Sequence, residues 1–134
     1  MRQFSPTFHD LLFVDTHREP IRSTECLPRP IRQAMLIALR SHWYSIEPDA
    51  WESATGVCPV VAAGKLAGVW RDGHLADGGP IWGSEESPSD EVFDFAVSFD
   101  LHADEVGTEA AVDLVERTLS DGLEGPSCAE RRAA

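Results

Sequence analysis

From Pro30 onward, Ile31, Ala34, Met35, Ala38, Leu39 and Ile46, together with His42, recur at spacings of three and four, the period of one helix face. Pro30 suits a first helical position, and Arg29, Arg32, Gln33 and Arg40 fall on much of the opposite side. The pattern predicts a helix ending near Pro48, which cannot continue it and restricts the residue before it. Two shorter helices are predicted next. One opens at Pro48, runs through Trp51 to Thr55 and closes at Gly56; the other opens at Pro59 and closes near Gly68.

The stretch RDGHLADGGPIWGSEESPS reads as a long loop, within which Arg71-Asp72-Gly73-His74 suits a type I′ hairpin turn. Ser87-Pro88-Ser89-Asp90 then has the form of a helix start: an N-cap Ser, Pro at N1 and an acid at N3. Beyond it two periods compete. Val92, Phe95, Ala96, Phe99, Ala103 and Val106 form a helical stripe, whereas Phe93, Phe95, Val97, Phe99 and Leu101 alternate with Asp94, Ala96, Ser98 and Asp100 as in a strand. The start signal and a stop at Gly107 favour the helix. A last helix is capped by Thr108, turns Ala111, Leu114, Val115 and Thr118 or Leu119 inward, and closes at Gly122.

The expected fold is therefore mainly α, one small domain of four to five helices. Residues 1–27 are expected to form an extended arm, 28–122 the globular body and 123–134 a flexible tail. Should 92–101 be a strand, the fold becomes α+β.

Composition adds that a chain of 134 residues with 43% hydrophobic residues can bury a core without staples. No apolar run is long enough to span a bilayer, and the LLFV run near the N-terminus lacks the features of a secretory signal. Three cysteines (Cys26, Cys58, Cys128) in no CxxC pair argue against a disulfide framework and a structural zinc site, which predicts a reducing, cytoplasmic setting. Ten Arg against the single Lys65 point to a GC-rich, bacterial coding genome.

Charge changes the picture more. The net charge is −12, yet residues 1–71 sum to +1 and residues 72–124 to −14. Such a field repels phosphate backbones and speeds encounter with cationic surfaces. It predicts a protein partner with a basic surface, met by Glu85, Glu86, Asp90, Glu91 and Asp94, or self-association through exposed aromatic area. Nucleic acid and membrane are not expected partners.

Candidate chemistry is sparse. Cys58 precedes Pro59 at a predicted helix N-terminus, where free N–H groups can stabilise a thiolate. Thr55-Gly56-Val57-Cys58-Pro59 resembles the Thr-x-x-Cys segment of peroxiredoxins, and the resemblance implies a redox thiol at Cys58 supported by Thr55. It covers five residues, and Trp51 stands where that family has a Pro. VVAAGKLAGVWRDG resembles the first half of a helix-turn-helix, with Gly64, Ala67, Gly68 and Val69 at the turn; a regulator of that kind would face DNA with Arg29, Arg32 and Arg40. Trp70 and Trp82 flank the Gly-rich loop and could line a ligand groove. Neither His9, Asp10, Asp15 and His17 nor His102, Asp104 and Glu105 has a recognised metal-ligand spacing, and no phosphate or dinucleotide loop is present. No metal or cofactor is expected. The chain reads as a non-enzymatic interaction domain, with a thiol-dependent redox protein and a helix-turn-helix regulator as alternatives.

Overall fold

A helix that is apolar or small on nearly every side needs to be enclosed, and Pro59–Ala67 (α3) is such a helix: Pro59 through Gly64 are all buried. In the computed structural model, which describes residues 19–76, 79–84 and 86–126, the other elements pack around it. They are α1 (19–26), α2 (Arg29–Ser41), a hairpin of β1 (Trp70–Arg71) and β2 (His74–Leu75), α4 (Gly79–Trp82), α5 (Asp90–Val106) and α6 (Thr108–Gly122). The fold is mainly helical, as the periodicity predicts. Residues 1–18, on which most of the expected arm falls, lie outside the described residues, and 19–26 are helical rather than extended.

α2 buries Ile31, Met35, Leu36, Ala38 and Leu39 against α3 and α6. It stops at Ser41, short of the predicted end, because His42 turns left-handed (φ 58°) and the Ser41 hydroxyl donates to the Ala38 carbonyl at 2.9 Å. Ile46, placed on that helix by its spacing, instead pairs with Val57 in a short parallel bridge. The helix predicted over 48–55 does not form. The Glu47 N–H donates to the Val57 carbonyl at 2.9 Å, and the Val57 and Cys58 N–H groups reach the Ser45 and Trp51 carbonyls, so this loop folds back on itself.

Arg32 also departs from expectation. It is buried, and its guanidinium donates to the carbonyls of Leu27, Gly122, Leu123 and Gly125. The last carbonyls of a helix lack intrahelical partners, and the fork of Arg32 supplies donors at the end of α6.

The hairpin takes the predicted turn, with Asp72 and Gly73 both at positive φ (57° and 83°) and Trp70 opposite Leu75. α5 begins two residues later than its sequence signal. Ser89, not Ser87, is the N-cap: its hydroxyl accepts from the Val92 N–H and donates to the Ile81 carbonyl, tying α4 to α5. Pro88 instead bridges to Gly83. The strand alternative for 92–101 is excluded, since α5 is continuous through it. Its inward face is the predicted stripe, with Phe95 and Phe99 stacked at 6.0 Å, except that Val106 is exposed. α6 follows after Gly107 and buries Ala111, Val115 and Leu119. Buried Ser23 of α1 hydrogen-bonds buried Ser98 of α5.

Candidate functional site

The outward face of α5 combines apolar exposure with charge. Phe93, Val97 and Leu101 are 53%, 41% and 60% exposed, and at successive spacings of four they form one ridge along the helix. The ridges beside it lie three residues away on either side. One carries Asp90 and Asp94; the other carries Asp100 and Asp104. An apolar row thus runs between two acidic rows. The Asp90 row borders α1, where the Asp94 charge acts on Arg22. The Asp100 row borders the loop that holds Asp49.

Between that loop and α5 lies a slot of about 250 Å³, lined by Trp51, Phe93, Ala96 and Val97, with Asp49 and Asp100 among its walls and Cys58 beside them. Asp49 sits in left-handed backbone (φ 75°). Burial, opposed by a backbone hydrogen bond from Asp49, pushes the Asp100 carboxyl above its ordinary value, and the Asp49 charge pushes the same way. Two like charges therefore share one edge of an apolar recess.

The acids singled out from the sequence are divided by the fold. Glu85 lies outside the described residues. Glu86, Asp90 and Asp94 are exposed. Asp90 and Glu91 occupy the first turn of α5, where acids complement the helix dipole, so part of their role is structural. The ridge Phe93–Val97–Leu101, with Asp49, Trp51, Asp100 and Asp104, was not recognised from the sequence as part of a surface. Its signal was present: three apolar residues at i, i+4 and i+8, offset from the buried stripe and flanked by Asp.

Cys58 does not have the lowered thiol that its position predicts. It is the N-cap of α3, and the Val60 and Val61 amides do lower its pKa, but burial outweighs them and pushes it up to about 12. Thr55 is exposed, and its hydroxyl lies 3.3 Å from that of Ser53 in a local turn. Cys26 is disulfide-bonded and Cys58 is left as a free thiol, which corrects the expectation of no disulfide and removes its support for a reducing compartment. An odd count excludes only complete pairing.

Trp70 and Trp82 are both buried and border a gap of only about 10 Å³, at the limit of one water. Trp70 donates to Glu52 at 2.9 Å, and Glu52 pairs with Lys65 at 2.7 Å. These Trp residues anchor the hairpin and α4 to the body rather than open a groove. The helix-turn-helix reading loses its second helix, because a hairpin follows α3. Of its three cations, one is withdrawn from the surface and the other two are engaged within the fold. Arg32 is buried, Arg29 donates to the Glu124 carbonyl, and Arg40 reaches Glu116 and Ser120.

A second concavity, about 530 Å³, lies between α6 and the end of α2, with Tyr44, Glu109, Asp113 and Glu116 among its walls. No group of His, Cys, Asp and Glu suited to a metal occurs among the described residues, and none of their helices is long and apolar enough to cross a membrane. No family model, curated protein or solved structure matches the chain.

Proposed function

We propose that the chain is a protein-interaction domain that binds a cationic partner through the outward face of α5. The observation that carries this reading is the ridge of Phe93, Val97 and Leu101 between the Asp90–Asp94 and Asp100–Asp104 rows. An apolar helix face left uncovered marks an interaction surface, and the acids beside it select the sign of what covers it. A second copy laid on this face along a two-fold axis would bring acid against acid, at a cost. A partner helix with apolar residues flanked by Lys or Arg meets both features at once. The same field supports the exclusion of nucleic acid.

The test is a titration with an amphipathic peptide bearing a Leu face flanked by Arg, beside a peptide with the same face flanked by Glu. The expected result is saturable, salt-weakened binding of the Arg peptide alone, lost in a Phe93→Ser, Leu101→Ser double variant that keeps every charge. Binding that survives the double variant would reduce the effect to bulk charge and end the proposal. Dimerisation that the same double variant abolishes would replace it with self-association.

A further inference from the structure

We infer that the slot between α5 and the 49–51 loop receives one arginine side chain of that cationic partner. The inference rests on the α5 reading above and names the group that fixes the partner's register. Three features select the occupant. The slot holds about 250 Å³, below the 300–1,000 Å³ of most small-molecule clefts, and suits one long side chain. Ala96, Val97 and buried Cys58 offer apolar surface to an aliphatic stem, as Arg stems commonly use. Asp49 and Asp100 come from two different elements and supply two carboxylates, which a planar five-donor guanidinium can engage from separate nitrogens. Trp51 and Phe93 add aromatic surface, against which guanidinium stacks better than ammonium.

The Asp49 N–H donates to the Asp100 carboxyl, but among the described residues no cation accompanies the two acids. A guanidinium in the slot would supply the counter-charge that the partly buried Asp100 carboxyl lacks among the described residues.

The probe is N-butylguanidinium, compared with n-butylammonium and n-butanol, titrated into the full chain and followed by amide NMR shifts. The expected shifts are saturable, confined to residues 49–51, 58 and 93–100, and strongest for the guanidinium. Asp100→Asn is expected to weaken guanidinium binding about 10-fold, the scale of one charge-assisted contact, and Phe93→Ala to weaken it with both carboxylates intact. Equal binding of butanol would overturn the inference, as would shifts centred on Tyr44 and residues 109–116. Should butylguanidinium fail while the Arg peptide still binds the ridge, the slot assignment falls and the α5 reading stands. If the peptide fails as well, both fall.

Discussion

Arg32 and Gly122 stand ninety positions apart, and the buried guanidinium of the first donates to the carbonyl of the second at 2.8 Å. With Leu27, Leu123 and Gly125 as further acceptors, one side chain gathers four main-chain carbonyls from the α1–α2 turn and the end of α6. Arg32→Ala would leave the buried Leu27 carbonyl without this donor and hand the half-buried carbonyls at the end of α6 to water. The expected loss is about 1–3 kcal/mol, the cost of one buried unsatisfied group. Arg32→Lys should recover only part of it, because an ammonium cannot span the same fork. Urea denaturation of both variants checks the order.

Gly83 makes a comparable demand with no side chain at all. Its φ is 77°, and a Cβ there would lie 2.5 Å from both the Ser87 carbonyl oxygen and the Ser89 nitrogen. Gly83→Ala is therefore expected to cost at least about 2 kcal/mol, through left-handed strain and a backbone clash that no rotamer relieves. The displaced segment carries the Ser89 cap, so the amide exchange of Val92 and Phe93 should rise in the same variant.

The contrast between these positions and the helices indicates what was legible in the sequence. α3, α5 and α6 were readable because Pro and Gly mark their ends and apolar residues repeat along them. Arg32 was not, since one-dimensional periodicity assigns a charged residue to the solvent side and cannot see a helix end arriving from ninety residues away. The 48–55 loop was misread because Pro48 and Gly56 resemble helix boundaries, while the bonds that decide the matter run to Ser45 and Val57. The α5 surface was half readable. Its acids stood out, but Phe93, Val97 and Leu101 fall on odd positions beside buried Phe95 and Phe99. Together they mimic strand alternation and conceal a second apolar face.

Glu52 predicts an acid-side stability slope. Its carboxylate accepts from Lys65 and Trp70, and these bonds hold its pKa below the ordinary 4.5. A depressed folded value means stability fully present above the unfolded pKa and lost as pH falls through the folded one. Glu52→Gln should flatten that slope and cost about 0.5–1.5 kcal/mol at neutral pH. Thermal melts of both proteins from neutral to acid pH measure the difference, which should vanish at the acid end.

Cys58 should resist alkylation at neutral pH. Its thiol is buried, and a pKa near 12 leaves almost no thiolate. Iodoacetamide modification in the native state should be slowed in proportion to the small population of opened molecules, and rise by orders of magnitude in denaturant. Fast labelling of the folded protein would reopen a thiol-based activity.

Asp100 separates binding from folding, because the two should respond to its removal in opposite directions. Its folded pKa is raised above the ordinary 3.8 by burial, which outweighs the hydrogen bond it accepts from the Asp49 backbone. The Asp49 charge adds a smaller push in the same direction as burial. The groups that face it are Asp49 and Cys58, and neither is cationic. A raised carboxyl contributes stability that is full below the unfolded pKa and lost as pH rises through the folded value. At neutral pH the ionised group is therefore a burden on the empty fold. Asp100→Asn should match or exceed the wild-type melting temperature at neutral pH, and the gap should close on acidification. Binding should move the other way. In the wild type, affinity for butylguanidinium should rise with pH across the same window, as the carboxyl gives up its proton to admit a cation. In Asp100→Asn that pH dependence should vanish along with most of the affinity. A variant that is less stable at neutral pH, or that binds with an unchanged pH profile, would show that Asp100 serves the fold rather than a partner.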